Sequence, residues 1–124
     1  MSGKGSMINS RKTGAEYEKK AAQYLQTLGY EVIERNFRCR QGEIDLIAKD
    51  GEYLVFIEVK YRKDARLGEP LEAVDYRKRR RISETASYYC FSHGISQQQP
   101  CRFDAVAFVQ GEWTVVRDAF DYFG

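Results

Sequence analysis

The feature that most constrains this chain is a pair of strand-like segments joined by a tight turn. Residues 43–48 and 53–60 are rich in aliphatic and aromatic side chains, and they flank Asp50-Gly51. Asp-Gly between two such segments is the strongest short sequence signal for a β-hairpin. If Asp50 and Gly51 are the two turn residues, Lys49 faces Glu52. The sequence therefore predicts a central antiparallel hairpin.

Helices and further strands are expected on both sides of this hairpin. Thr13 and Glu16 have the spacing of a capping box, which predicts a first helix starting at Thr13 and stopping at Gly29. A second helix is expected over residues 71–91, and further strands over residues 31–35, 101–109 and 113–117. The order α-β-β-β-α-β-β predicts an α/β fold with a mixed central β-sheet flanked by helices.

Length and composition are those of one soluble domain. The chain has 124 residues, of which 43% are hydrophobic, enough for a single core. Residues 1–12 are expected to form a flexible tail and residues 13–124 a single domain. The longest apolar run, residues 53–57, is too short for a membrane span. Three cysteines without Cys-x-x-Cys spacing indicate no disulfide framework or zinc site, and a reducing cytoplasm fits best.

The first helix carries one acidic residue inside its apolar arc. On a helical wheel Glu18 falls between Leu25 and Ala22, whereas Glu16 falls on the opposite, polar side. Glu18 is therefore expected to face inward. The arc itself consists of Tyr17, Ala21, Ala22, Tyr24, Leu25 and Leu28.

Acidic residues of the hairpin are expected to share one face of the sheet. The predicted register sets Asp45 opposite Phe56 and Glu43 opposite Glu58. Residues that face each other share a face, and so do residues two apart, which brings Lys60 to the same side. A slip of one residue would separate this set. The sequence thus predicts a cluster of three carboxylates and a lysine.

Such a cluster fits a divalent cation. Neighbouring carboxylates repel each other, and desolvating an unpaired one costs several kcal/mol or more, roughly. Oxygen ligands favour Mg²⁺ or Mn²⁺, with Asp45 and Glu58 as the candidate ligands and a bound water as nucleophile. Lys60 would stabilise charge on a phosphate or hold the attacking water. Glu-x-Lys alone is more typical of an exposed strand with a salt bridge than of a functional site. With Asp45 and Glu18 added, the two interpretations are about equally favoured.

Several segments carry a resemblance to a known family. They are Gly14-x-x-x-Glu18-x-x-Ala21-Ala22-x-Tyr24-Leu25, Gly42-Glu43-Ile44-Asp45-Leu46-Ile47-Ala48, Val55-Phe56-Ile57-Glu58-Val59-Lys60-x-Arg62, Ala73-Val74 with Lys78, and Cys101-Arg102-Phe103-Asp104. With these segments the chain resembles the YraN-like endonuclease family. That family is similar to Holliday-junction resolvases and belongs to the PD-(D/E)xK nuclease superfamily.

The resemblance implies a fold, a metal site and an activity. It implies a restriction-endonuclease-like three-layer core, with metal ligation by Asp45, Glu58 and a backbone carbonyl near Val59. Lys60 takes the place of the motif lysine, and Glu18 matches the helix-borne acid of the superfamily. Ile44, rather than proline, precedes Asp45.

Basic residues are clustered although the formal net charge is only +2. Lys and Arg dominate contacts with the nucleic-acid backbone. Arg62 and Lys63 follow the proposed site directly, and Lys78 and Arg81 lie towards the inward stripe of the second helix. A solvated helix face is an equally good interpretation for any one residue of the run 77–81. A weaker candidate is Asp104, which would support the site from a neighbouring strand.

Three functions are compatible with these observations. The first is a Mg²⁺- or Mn²⁺-dependent endonuclease that hydrolyses phosphodiester bonds in DNA, either duplex or branched and junction structures, with RNA not excluded. The second is a non-catalytic nucleic-acid-binding module that keeps the nuclease fold. The third is a protein-interaction domain using the tyrosine-rich helix. A homodimer fits the first function, because cutting both strands of a symmetric junction needs two sites.

Overall fold

The helices and strands of the structure follow the order that the sequence predicts. The structure, a computed structural model, describes residues 2–62 and 76–120, and side chains over residues 14–61 and 76–120. The elements are α1 (Ser2–Thr27), β1 (Glu31–Cys39), β2 (Gly42–Asp50), β3 (Tyr53–Arg62), α2 (Tyr76–Ser92), β4 (Cys101–Val109) and β5 (Glu112–Val116). The order α-β-β-β-α-β-β is confirmed.

The five strands form one mixed sheet in sequence order, β1-β2-β3-β4-β5. Strands β3 and β4 are parallel, and the other neighbouring strands are antiparallel. Parallel neighbours need a crossover connection, and α2 lies in the chain between β3 and β4. The sheet is therefore mixed, as the sequence predicts, and its parallel pair is β3 with β4.

One helix packs on each face of the sheet. The α1 side is a core formed with strand residues of β2, β3 and β4: Ala21, Leu25, Leu46, Val55, Ile57 and Val106. The α2 side is a second core: Ile47, Phe56, Ile82, Ala86, Tyr89 and Phe103. Along β3 the two sets alternate, because successive side chains of a strand point to opposite faces. The predicted three-layer α/β architecture is confirmed.

The hairpin turn differs from the prediction by its register. Asp50 pairs with Tyr53 and Lys49 with Leu54, so the turn residues are Gly51 and Glu52, and the predicted Lys49–Glu52 pair is wrong. Gly51 has a φ of 62° at the first turn position, which is the arrangement of a type II′ turn. The register changes by two residues, and a shift of two preserves the face of every side chain. The predicted acidic set is therefore not separated.

The predicted start of α1 is wrong, and its predicted end is correct. The helix begins at Ser2 and not at Thr13. Adding residues to an existing helix is far easier than nucleating one, and residues 2–13 contain no proline to interrupt it. At the other end Gly29 has a φ of 99°, and the Tyr30 N–H donates to Leu25 O at 3.1 Å, which completes a Schellman-type cap. The division into a tail and a domain stays a prediction.

The inward faces of both helices are mostly as predicted. In α1 the exception is Leu28, which follows the last residue of the helix and is 41% exposed. In α2 the predicted stripe consists of Lys78, Ile82, Thr85, Ala86 and Tyr89. Its last four members are buried together with Ser83, whereas the Lys78 side chain is 42% exposed. The predicted start of this helix at residue 71 lies outside the described residues. No helix in the described ranges is both long and apolar enough to cross a membrane.

Candidate active site at the open end of the hairpin

The hairpin opens where its acidic residues begin. The β2–β3 ladder ends with the pair Leu46 and Ile57, and the next residues are Asp45 and Glu58. Beyond this point the N–H of Val59 donates to Oδ2 of Asp45 at 2.8 Å. A side-chain carboxylate thus takes the hydrogen bond that a neighbouring strand would otherwise accept. This bond fixes the Asp45 side chain in the gap between the strands.

A cavity of about 560 Å³ lies at this opening, between β2, β3 and α2. Three carboxylates line it, from Glu43, Asp45 and Glu58. Three basic side chains line it as well: Arg38, Lys78 and Arg81. The cavity therefore has an acidic floor on the hairpin and basic walls on β1 and α2.

Gly42 allows α2 to approach the hairpin closely at this cavity. A Cβ atom at Gly42 would lie 3.0 Å from Oγ1 of Thr85, and the Gly42 φ of 152° disfavours other residues. Thr85 itself is held by a 2.8 Å hydrogen bond from its hydroxyl to the carbonyl of Arg81. The missing side chain thus sets the distance between the acidic floor and the wall formed by α2.

Glu58 is the buried charge at the centre of the site. Its side chain is only 8% exposed, although β3 is otherwise apolar over residues 54–57. Two ammonium groups approach the same oxygen, Oε2: Lys78 forms an ion pair with it, and Lys60 Nζ lies 3.5 Å away. A buried carboxylate needs such partners, because leaving its charge uncompensated is costly.

Asp45 is the second acidic group, and it holds its proton unusually tightly. Burial, followed by the charge of Glu58, raises the pKa of the Asp45 carboxyl to about 8. The hydrogen bond from Val59 acts in the opposite direction, while Glu18 and Glu43 add smaller upward contributions. Asp45 is thus a carboxylate short of positive charge, a condition typical of functional sites.

The two lysines are shifted in opposite directions. Burial, and then the neighbouring Lys78, lowers the pKa of Lys60. Burial alone would also lower the pKa of Lys78, but its hydrogen bond and charge interaction with Glu58 outweigh burial and raise it. Of the two amines, Lys60 is therefore the more readily deprotonated.

The donor groups of this site suit a hard divalent cation. The oxygens of Asp45 and Glu58 reach one cavity, and Mg²⁺ needs only one or two carboxylates because it keeps several waters. Burial first, and then the charge of Glu58, raises the pKa of Asp45, and a bound cation would offset both effects. Among the described residues, however, no three acidic, histidine or cysteine side chains are close enough to enclose an ion. The residues fit an open, water-rich site and not a closed cage.

The structure brings most of the predicted site residues together. Asp45 and Glu58 line the cavity, Lys60 contacts Glu58, and the Val59 N–H binds Asp45. Glu18 of α1 does not line the cavity, although its charge makes a small contribution to the raised pKa of Asp45. Of the predicted phosphate contacts, Lys78 and Arg81 line the cavity. The Arg62 side chain and Lys63 lie outside the described residues.

Asp104 lies outside this site, so its predicted support of the site is wrong. It pairs with Ile57 on the α1 face of the sheet, and it is 2% exposed. Its carboxylate accepts a hydrogen bond from the Tyr30 hydroxyl at 2.6 Å and two from Arg102 at 2.9 Å. The error arises because successive residues of a strand face opposite sides of the sheet, and Asp104 faces the side opposite to Glu58.

Sequence reasoning missed two contributors to the cavity. Arg38 belongs to a basic stretch whose position depends on the pairing of β1 with β2, where it faces Glu43. Gly42 adjoins the acidic motif, but its contact with Thr85 depends on how α2 packs. The available signal was the glycine directly before Glu43, at the point where an expected strand begins.

The fold and the site together define a class of protein. It is an α/β protein with a mixed sheet, and an acidic cavity that contains a lysine lies at the open end of its hairpin. Residues 17–108 match the family described as "Uncharacterised protein family UPF0102", and the chain belongs to it. A UPF0102 protein of Lachnoclostridium phytofermentans is 44% identical over 117 residues, covering 94% of this chain and 99% of the relative. One of Symbiobacterium thermophilum is 52% identical over 97 residues, covering 78% and 81%.

Proposed function

We propose that this protein is a metal-dependent endonuclease that hydrolyses phosphodiester bonds in DNA with Mg²⁺ or Mn²⁺. The observation that carries the proposal is the meeting of Asp45 and Glu58 in one cavity with Lys60 beside them. A protein without use for this arrangement gains nothing from two neighbouring carboxylates, one of which has a pKa of about 8. The resemblance to PD-(D/E)xK nucleases, carried by the same residues, supports the same chemistry.

Each residue of the site has a distinct task in this proposal. A divalent ion, when bound, supplies the Lewis acidity that activates a water and offsets charge on the phosphate. Asp45 and Glu58 hold the ion, and the Val59 N–H keeps Asp45 in place. Lys60, with its lowered pKa, takes a proton from the attacking water or donates a hydrogen bond to the phosphate.

The walls of the cavity suit a polyanionic substrate. Arg38, Lys78 and Arg81 surround the acidic floor, and side chains of this kind bind phosphate without reading sequence. Junction and flap DNA belong among the substrates to be tested because the chain resembles a family similar to Holliday-junction resolvases. RNA remains a candidate, and paired cuts in a symmetric junction would require a homodimer.

A substrate panel tests the proposed activity. The chain is incubated with duplex, single-stranded, flap and four-way DNA, with Mg²⁺, Mn²⁺ or EDTA. We expect cleavage of at least one substrate with a divalent ion and none with EDTA. Asp45→Asn, Glu58→Gln and Lys60→Met should each slow cleavage at least about 100-fold, because each removes a group that acts on the reacting phosphate.

A matched acidic residue outside the cavity provides the control. Glu84 lies on the exposed side of α2, where it pairs with Arg80 at 3.4 Å. Glu84→Gln should therefore cut at the wild-type rate. Cleavage by Asp45→Asn at the wild-type rate would reject the site, and no cleavage of any substrate with either metal would reject the activity.

One observation favours a nucleic-acid-binding module without catalysis. Glu58 is already neutralised by lysines, and the described side chains form no preassembled cage for a metal. Calorimetric titration with Mn²⁺ separates the two functions. Binding that is lost in Asp45→Asn supports the enzyme, whereas DNA binding without any Mn²⁺ binding supports the module.

A further observation favours an interaction surface on α2. Its aromatic residues Tyr76, Tyr88 and Phe91 are 54%, 41% and 83% exposed. A salt series tests whether these residues or the basic wall bind the partner. Phosphate contacts weaken steeply with salt, whereas apolar association does not.

A further inference from the structure

Lys78 contacts the carboxylate that a divalent ion would need. Its ammonium forms an ion pair with Oε2 of Glu58, the oxygen that Lys60 also approaches at 3.5 Å. Glu58 is only 8% exposed, so these two lysines account for much of its compensating charge. An ion that binds through Glu58 therefore competes with an ammonium group that is already present.

Of the two lysines, only Lys78 is positioned so that its ammonium can move away from Glu58. Lys60 comes from β3 itself, two residues from Glu58, and its side chain is 15% exposed. Lys78 reaches across from the first turn of α2, and its side chain is 42% exposed. A lysine on a flexible four-carbon stem can turn its ammonium towards water without any movement of the backbone. The contact with Lys78 is thus the replaceable one.

The charges around the cavity determine what this replacement costs. Glu58 is buried and needs a cation beside it, whichever cation that is. Arg38 and Arg81 line the same cavity, so a displaced Lys78 would adjoin two further positive groups at the basic wall. Those like charges disfavour the displaced position, and the metal must supply the difference.

We propose that Lys78 is an exchangeable cation of this site, which neutralises Glu58 in the metal-free protein and is displaced when a divalent ion binds to Asp45 and Glu58. The identity of the ion rests on the proposed function, but the exchange itself rests on the shared oxygen. The exchange makes Lys78 a built-in competitor of the metal. It keeps the buried carboxylate satisfied while no ion is bound.

Calorimetric titration with Mn²⁺ tests the exchange. Lys78→Met keeps the length of the aliphatic stem and removes the competing charge. We expect it to bind Mn²⁺ roughly three- to tenfold more tightly than wild type. Arg81→Met is the matched control, because it removes a positive charge from the same cavity wall one turn along α2. Its gain in affinity should be clearly smaller than that of Lys78→Met.

Thermal unfolding separates this exchange from a merely structural ion pair. Without metal, Lys78→Met should have a lower Tm than wild type, because Glu58 loses a compensating charge. With saturating Mn²⁺ the difference should largely disappear, since the metal then occupies the position in both proteins. A structural ion pair predicts the same loss of Tm with and without Mn²⁺, and that result would overturn the proposal.

The remaining outcomes also decide the question. Equal Mn²⁺ affinity in wild type and Lys78→Met, or equal gains in the Lys78 and Arg81 variants, would overturn the exchange. Absence of Mn²⁺ binding in all three proteins would overturn it as well. The cleavage panel decides the proposed activity separately, because an active enzyme with unchanged metal affinity in Lys78→Met contradicts only the exchange.

Discussion

The Asp45 carboxyl is held between opposing influences. Burial and the neighbouring Glu58 charge disfavour its ionised form, while the Val59 N–H favours it. The balance raises its pKa from 3.8 to about 8. A divalent ion would reverse that balance, since it interacts only with the ionised form. The ionised form of Asp45 is therefore unfavourable in the metal-free protein and would be favourable in the metal-bound protein.

This balance predicts how stability depends on pH. A pKa raised by folding gives a contribution to stability that is complete below pH 3.8 and is lost as the pH rises towards 8. Asp45→Asn keeps an oxygen for the Val59 N–H and does not titrate. In EDTA it should exceed wild type in Tm by about 4 °C or more at pH 8, corresponding to roughly 1 kcal/mol, and by much less at pH 5.

Thermal unfolding across this pH range checks the prediction. Glu84→Gln, on the exposed side of α2, is the control and should follow wild type throughout. A constant Tm difference between Asp45→Asn and wild type from pH 5 to pH 8 would show that the Asp45 pKa is not raised. Added Mn²⁺ should raise the Tm of wild type but not that of Asp45→Asn.

At the scale of elements, the junction between β2 and α2 determines the shape of the cavity. Gly42 lets the helix approach until Thr85 lies where a side chain would otherwise be. Gly42→Ala combines a contact of 3.0 Å with an unfavourable φ, and should destabilise the protein by roughly 1–3 kcal/mol. It should also strengthen Mn²⁺ binding, because displacing α2 moves Lys78, the competing cation, away from the acidic floor.

A second glycine provides the comparison for this substitution. Gly14 lies in α1, and a Cβ atom there would meet no other atom within 4 Å. Gly14→Ala should stabilise the protein by up to about 1 kcal/mol, because alanine is the better helix former. Chemical denaturation measures both variants, and equal effects of the two would contradict the close approach at Gly42.

The elements themselves were predictable from sequence, but the exact pairing of the hairpin was not. Asp-Gly indicates a turn without deciding which of its residues belong to the strands. Here Asp50 stays in β2, where it accepts a 2.7 Å hydrogen bond from Arg102 of β4. That contact joins residues 52 positions apart, so no local pattern reveals it. The grouping of Asp45 and Glu58 was predicted nonetheless, because a shift of two residues leaves both side chains in one cavity.

The ion pair of Lys78 was beyond sequence reasoning for the same reason. The helical wheel placed Lys78 on the inward stripe of α2, which the structure confirms by its contact with Glu58. Which carboxylate it meets depends on where α2 crosses the sheet. The crossing depends in turn on the packing of Ile82 and Tyr89 against Phe56 in the α2-side core.

At the scale of the whole molecule, the sheet carries two polar clusters on opposite faces. The cavity lies on the α2 side, whereas Tyr30, Arg102 and Asp104 form a network on the α1 side. Arg117, after β5, donates to the Tyr30 hydroxyl at 3.1 Å, and Arg102 also binds Asp50. This network connects the end of α1 with β2, β4 and β5. Unlike the cavity, it is internally satisfied and positions the strands.

Removing the Tyr30 hydroxyl tests whether this network stabilises the fold without affecting the cavity. Tyr30→Phe leaves Asp104 without a buried donor at 2.6 Å, and should cost roughly 1–3 kcal/mol of unfolding free energy. Mn²⁺ affinity should not change, because the network does not reach the cavity. Tyr24→Phe, whose ring stacks on Trp113, is the matched control and should be nearly neutral. Altered metal binding in Tyr30→Phe would mean that the two clusters are coupled.

The bond between Val59 and Asp45 gives the protein an intrinsic spectroscopic reporter. An amide proton that donates to a carboxylate resonates at a frequency that depends on the charge of that carboxylate, and here the pair lies where the strands diverge. The ¹⁵N–¹H correlation of Val59 should therefore move as Asp45 gains a proton or a metal ion. Occupancy of the site can then be followed in solution on ¹⁵N-labelled protein, without substrate or cleavage.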